Sequence, residues 1–405
     1  MKQLPRAQRR ARESTSYLRG TLVIMAALAL VLALAAAAAH AAPYTFTKVA
    51  DSARDNFNPN SFTCSSINNR GDIAFRAGRT SPDGLNSFDG IYRANADGTL
   101  TTIVEDPQRD RFGFLGNNPS MNDRGEVSFA ANLSPDFEQG IFRGNGTTLT
   151  TIATTTKQFN FFGFDTSVNN GGEVAFKAEL DDFDEGLFSG SGGKITTHYL
   201  NSGDVSLDGH TARFGGNDSR PSINNLGEIA FDESVQPDFS SGIFIGRERT
   251  FRTIEAPDPN RQVDEPVLND GGITAFETRF FDETGRFVDA IVTDNGPTQT
   301  KVADTSGSFI GFFFRPPAIN NAGEVAFGAF LNDNQTSGIF TGPDAKKDVV
   351  IATGDKLDGA TILSGGLHFC EEGLNDSGQL AFIAELADRN SFDPRTAVFR
   401  AMPKR

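Results

Sequence analysis

One phrase recurs seven times along the 405-residue chain: an asparagine, two variable residues, a glycine, then a short apolar stretch ending in phenylalanine. It runs Asn68–Phe75, Asn122–Phe129, Asn169–Phe176, Asn224–Phe231, Asn269–Phe276, Asn320–Phe327 and Asn375–Phe382. Successive asparagines lie 54, 47, 55, 45, 51 and 55 residues apart. A supersecondary unit of that length cannot bury its apolar face alone, so neighbouring copies must stack. The repeat glycines Gly71, Gly125, Gly172, Gly227, Gly272, Gly323 and Gly378 mark a tight turn in each copy. Asparagine caps such a turn through its own side chain, and glycine accepts a positive φ.

The second copy shows the unit. After Asn122-Asp123-Arg124-Gly125, residues Glu126 to Ala130 alternate as a strand does, with Val127 and Phe129 on one face and Ser128 on the other. A polar loop leads to Gly140-Ile141-Phe142-Arg143, the Asn145-Gly146 dipeptide reads as a hairpin turn, and Leu149 to Ile152 forms another strand. A further strand precedes the asparagine. Four antiparallel strands in about 45 to 55 residues is the pattern of a β-propeller blade. One face of the phenylalanine strand carries Phe and, as at Val127, Val174 and Val325, Val, and the other carries Ala74, Ala175, Ala230, Ala275, Ala326 or Ala381, with Ser128 once. Large against small lets adjacent sheets interlock, each buried phenylalanine contributing roughly 1.5–3 kcal/mol. Phenylalanine should dominate the core, since the chain has 37 Phe, four Tyr and no Trp.

Two features predict that the seven units close into a ring. Tyr44 to Asp51 resembles an outer strand (compare Thr300 to Asp304), whereas Thr396 to Arg400 resembles a third strand. The last blade thus lacks its outer strand and the chain start has a spare one, so pairing them removes the exposed edges. Cys64 and Cys370, four and five residues before their repeat asparagines, belong to the first and seventh units, which adjoin only in a closed ring. A disulfide between them is expected in an oxidising compartment.

The first residues argue for that compartment. Arg6, Arg9, Arg10, Arg12 and Arg19 precede an apolar run from Thr21 to Ala39, and Ala39-His40-Ala41 offers a small-x-small cleavage site. Residues 1–41 are read as a signal peptide, and 42–405 as one seven-repeat propeller domain, exported to the periplasm or beyond. Removing the signal, with its six Lys/Arg and one Glu, takes the net charge from −15 to −20. So acidic a chain repels phosphate backbones, so nucleic acid is excluded as a partner; no membrane span is expected after cleavage, and a monomer is expected.

The phrase Asn-x-x-Gly-x-x-Ala-Phe, repeated over residues 44–401, is similar to that of the bacterial choice-of-anchor tandem repeat NxxGxxAF proteins. The resemblance implies an exported protein and supplies no catalytic residues. Such proteins often end in a sorting tail. Met402-Pro403-Lys404-Arg405 is not apolar, so release or periplasmic residence is expected here instead of surface anchoring.

In an up-and-down blade the Asn-x-x-Gly turns and the Asn-Gly hairpins share one face, and the loops after the second and fourth strands share the other. These variable loops are acidic: Asp83, Asp89, Asp136, Glu138, Asp181, Asp182, Asp184, Glu185, Asp238, Asp282, Glu283, Asp333, Asp388 and Asp393. Variable loops on a rigid scaffold are where binding usually sits. Clustered carboxylates suit a hard cation such as calcium, with Asp181, Asp182, Asp184 and Glu185 as the local candidates, although no EF-hand or nonapeptide calcium repeat occurs. The links between units hold Phe112, Phe114, Phe159, Phe161, Phe162, Phe164, Phe312, Phe313 and Phe314, expected to pack between blades. Asp204, Asp208-Gly209, Asp355 and Asp358-Gly359 read as turn chemistry. His198, His210 and His368 lack metal-ligand spacing, and no G-x-S-x-G motif occurs. The expectation is a non-enzymatic scaffold binding a protein or glycan through its acidic loop face. The alternative is an extracellular polysaccharide hydrolase or lyase with paired carboxylates near the axis.

Overall fold

The computed structural model describes residues 44–404 other than 82–83, 85–86, 136–137, 217–219, 314–315, 334 and 388–393. The signal segment 1–41 therefore lies outside the described residues, as do Asp83, Asp136, Phe314, Asp388 and Asp393. Seven antiparallel sheets follow one another as the blades of a propeller. In blade 1 the order from axis to rim is Ser65–Ile67, Ile73–Thr80, Ser87–Ala94 and Leu100–Glu105. Helix is confined to one 3-10 turn, Pro59–Ser61, among the described residues.

The packing follows the alternation in the phrase. Phe75, Phe129, Phe176, Phe231, Phe276, Phe327 and Phe382 are at most 1 % exposed, and the alanines and Ser128 beside them at most 2 %, so neither face of the second strand meets solvent. The glycine of Gly-Ile-Phe has its own packing reason. A Cβ on Gly140 would sit 2.6 Å from the Phe142 ring, and one on Gly338 2.9 Å from the Phe340 ring. Glycine at that point lets the ring two residues on fold back over the strand. Phe129 and Phe142 stack at 5.7 Å, as do Phe176 and Phe188 at 5.9 Å.

The ring closes as the termini predict. Tyr44–Asp51 pairs antiparallel with Arg395–Pro403, Tyr44 opposite Pro403 and Asp51 opposite Ala397. Charged groups brace the seam: Lys48 and Arg395 each contact both Asp51 and Asp358. Asp358-Gly359 makes the two-residue turn between Lys356–Leu357 and Ala360–His368, with φ of 50° and 80°. Asp208-Gly209 does the same with φ of 51° and 80°. Both dipeptides are turns, as expected. The second hairpin, Val205–Leu207 and His210–Ala212, is an addition: it continues blade 4 beyond its outer strand through a parallel pairing to Thr250–Glu255. The phenylalanine-rich segment before Asn169, read as a link, is instead strand throughout, Phe159–Val168, with two register shifts that let it follow its neighbour outward to Leu180.

Candidate functional site: two faces and a crossed channel

On the turn face, the repeat asparagines do more than cap their own turns. Asn68 Oδ1 accepts the N–H of Asp72 at 2.9 Å, and each of the other six accepts the N–H four residues on. Each Nδ2 then donates to the backbone carbonyl of the next repeat asparagine, at 2.9–3.3 Å, and Asn375 returns to Asn68. Seven blades are thereby laced into one closed cycle, and all seven asparagines are at most 6 % exposed.

The next residue in each phrase forms a second cycle. Asn69, Asp123, Asn170, Asn225, Asp270, Asn321 and Asp376 each accept, on Oδ1, the backbone N–H of the counterpart in the preceding blade, at 2.7–2.9 Å. The three carboxylates also take two carboxamide donors each: Asp123 from Asn69 and Asn170, Asp270 from Asn225 and Asn321, Asp376 from Asn69 and Asn321. These cycles surround the turn-face mouth of the axial channel, a cavity of about 170 Å³.

Deeper in, the channel is crossed. Four residues before each repeat asparagine stand Cys64, Asn118, Asp165, Arg220, Glu265, Pro316 and Glu371. Arg220 of blade 4 reaches Glu371 and Glu372 of blade 7, the latter at 2.7 Å, and also the carbonyl of Thr166. Glu372 in turn accepts from Ser120 Oγ at 2.8 Å and Met121 N at 3.3 Å. Burial raises the Glu372 carboxyl above its ordinary value, and burial with Asp165 nearby pushes Glu265 up to about 6. Asp165 accepts from Asn118 at 2.6 Å. Glu371, Glu372 and Asp165 are thus tied to named donors, whereas Glu265 is the axial carboxyl set apart by its burial. This position was legible by aligning the seven copies on their asparagines and reading backward. It escaped notice because the residue types there differ from copy to copy.

The predicted disulfide is present: Cys64 and Cys370 are bonded, with Cα atoms 5.7 Å apart. Cys64, Cys370 and Glu371 are the one group of three potential ligands gathered closely among the described residues, and the disulfide occupies its sulfurs. Of the calcium candidates, Asp182 caps the N–H of Asp184, and Asp184 accepts from the N–H and hydroxyl of Ser202. His198 is buried, its Nε2 against Ser189 Oγ at 2.9 Å and its Nδ1 accepting the N–H of Glu248 at 3.0 Å. His210 is exposed, and His368 lies 3.6 Å from Glu385.

The loop face carries an apolar feature of which the sequence reading names one member, Phe161, and expects it between blades. Phe112, Phe159, Phe162 and Phe312 are buried between blades as expected. Yet among the described residues eight large apolar side chains are exposed, and seven lie on loops or strand ends of this face. They are Phe161 and Phe183 of blade 3, Phe239 of blade 4, Phe281 and Phe287 of blade 5, and Ile310 and Phe330 of blade 6; Leu226, on the turn face, is the eighth. Phe161 stays outside because the register shift between Phe159 and Phe161 gives the core positions to Phe159 and Phe162. Phe281 and Phe287 pack edge-on at 5.4 Å at a hairpin tip. Below them Arg279 is bonded by Asp264 at 2.6 Å and Glu277 at 3.0 Å. Burial pushes Glu277 up to about 7, against the pull of Arg279 and with the help of Asp264 and Asp289.

Fold and faces together define a seven-bladed β-propeller with a polar turn face and an aromatic, acidic loop face. The chain belongs to the family of unknown function DUF7453, whose model matches residues 28–256 and 107–397. No curated protein matches it. Among solved structures it is similar to acylaminoacyl peptidase of Pyrococcus horikoshii, at 10 % identity and TM-score 0.48, covering 80 % of this chain and 50 % of that one. It is similar also to the GH74 xyloglucanase of Xanthomonas campestris, at 11 % identity and TM-score 0.45, covering 87 % and 55 %. The chain spans about half the length of these proteins.

Proposed function

We propose that this is an exported, non-catalytic propeller whose loop face binds a protein or glycan partner. The observation that carries the reading is the gathering of seven of the eight exposed large apolar side chains on that face, over four successive blades. Exposed apolar groups that collect on one side of a fold mark interaction surfaces. Asp181, Asp182, Asp238, Asp282 and Glu283 stand among them and suit hydroxyl-rich or cationic neighbours. Three of the four axial acids support binding over hydrolysis, because Glu371, Glu372 and Asp165 already hold Arg220, Ser120 and Asn118 and leave Glu265 without a free carboxylate beside it. Export is supported by the basic and apolar leader and by the disulfide. Among the described residues no helix is long and apolar enough to cross a membrane.

The test is to screen the purified protein, beside a Phe183→Ser/Phe281→Ser double variant, on a glycan array and a panel of exported proteins. Hits that the double variant loses are expected. Hits that it retains move the site off this face, and hydrolysis of a bound glycan overturns the non-catalytic reading.

A further inference from the structure

We infer that the loop face ends in an anchor pocket, where blades 6, 7 and 1 meet, that takes an apolar side chain from a basic segment of a protein partner. The inference rests on the binding face proposed above and names the chemistry of its occupant.

A cavity of about 390 Å³ opens there. Its apolar walls are Phe62 of blade 1, Phe313 and Phe330 of blade 6, and Leu367 and Phe369 of blade 7, with the Cys64–Cys370 disulfide beside them. The volume falls in the range of true ligand pockets, above what a single phenyl or branched aliphatic group needs. The wall is built into the fold. Phe313 lies so close over Gly328 that a Cβ there would stand 1.9 Å from its ring, so this residue must be glycine for the ring to occupy its place. Phe330 packs on Phe313 at 5.2 Å and is 37 % exposed, joining the pocket to the aromatic arc that continues through Ile310 to Phe287.

The lining chooses between occupants. None of the described lining residues carries a carboxylate; the polar side chains are Thr63, whose hydroxyl donates to the Asn117 carbonyl at 2.6 Å, Ser337, and the exposed Asn117 and His368. Against walls of Phe62, Phe313, Phe330, Leu367 and Phe369 a sugar ring would leave the hydroxyls on those sides unpaired, at a cost for each buried group. An aromatic or branched aliphatic side chain loses nothing by entering. The surroundings choose the flanks: the loops of the arc are acidic, and the chain without its leader carries a net charge of −20. A segment with lysine or arginine on both sides of its apolar residue matches that field.

The experiment is a fluorescence-anisotropy titration of the full-length exported protein with three dye-labelled pentapeptides. One has a central phenylalanine flanked by lysines, one a central alanine with the same flanks, and one a central phenylalanine flanked by glutamates. The first should bind with a Kd at least about tenfold lower than either of the others, as an anchor residue requires. Thr63→Trp fills the pocket and Phe330→Ser removes a wall, both at positions that reach solvent, and each should weaken the first peptide by about tenfold. Circular dichroism verifies that both variants fold. Equal binding of the phenylalanine and alanine peptides, indifference to both variants, or no binding up to about 1 mM would overturn the pocket. Array hits that depend on Phe183 and Phe281 are read separately. If they survive while the peptides fail, the pocket falls alone; if both fail, the binding face falls with it.

Discussion

Each repeat asparagine serves two masters with one carboxamide. Its oxygen closes the local turn, and its nitrogen reaches the neighbouring blade. Asn169→Ala removes the bonds to Glu173 N and Asn224 O, at 3.0 and 3.2 Å, and strands both partners where water is scarce. A loss of about 2–4 kcal/mol in urea unfolding is expected. The second cycle is more exposed and more electrostatic. Asn225→Asp would set a carboxylate directly beside Asp270 and withdraw the donor that Asp270 now accepts at 2.9 Å. The expected cost is about 1 kcal/mol at low salt, shrinking as sodium chloride screens the repulsion; a melting deficit indifferent to salt would contradict the charge argument.

At the scale of the element, blade 3 props up blade 4. The hairpin at Glu248-Arg249 has two non-glycine residues at φ of 49° and 68°, where other blades place Asp-Gly or Asn-Gly. His198 braces it twice, its Nδ1 accepting from Glu248 N and its carbonyl from Arg249 N at 2.9 Å. Burial first, then the Arg247 charge, lowers His198 to about 4 from an ordinary 6.5. The folded state therefore resists a proton that the unfolded chain accepts, so stability should fall as pH drops from 6.5 toward 4, by up to about 3 kcal/mol. Glu277 acts with the opposite sign. Raised to about 7, it withdraws stability as pH climbs from 4.5 through 7. Unfolding free energies measured from pH 4 to 8 should therefore show a shallower acid limb in His198→Phe and a shallower decline toward neutral pH in Glu277→Gln, the remainder of which belongs to Glu265 and Glu372.

Strand identity was legible because period-two alternation is local. Val127 and Phe129 on one side and Ser128 on the other needed no tertiary knowledge. Contacts between blades were less legible, because the residues that meet lie 45 to 55 positions apart and the copies are not identical. The exposed phenylalanines went unforeseen for another reason. Composition says where phenylalanine usually goes, whereas Phe183 at φ of 65° and 75 % exposure is fixed outside by the turn that carries it.

At the scale of the whole molecule, beginning and end are stitched twice, by the Tyr44–Asp51 strand and by the Cys64–Cys370 disulfide. Deleting residues 44–51 exposes the last blade's edge and breaks the Lys48 and Asp51 bracing, so the melting temperature should fall well beyond that of a tail truncation. Removing the disulfide with a Cys64→Ser/Cys370→Ser pair should cost up to about 5 kcal/mol in the chain-entropy picture, since the bridged loop is long. A double variant as stable as the parent would show that the strand alone suffices.

The second cycle on the turn face also obeys arithmetic. Amide and acid want to take turns around it, but an odd number of seats cannot be filled that way. One pair of like neighbours is forced, and it falls at Asn170 and Asn225, where two amides cost less than two acids would. A six- or eight-membered wheel would need no such exception. Losing the Asn170 or the Asn225 copy, or gaining one acid-bearing copy between them, would restore strict alternation with no change elsewhere, so parity marks this junction as the place where the wheel can lengthen or shorten at least cost.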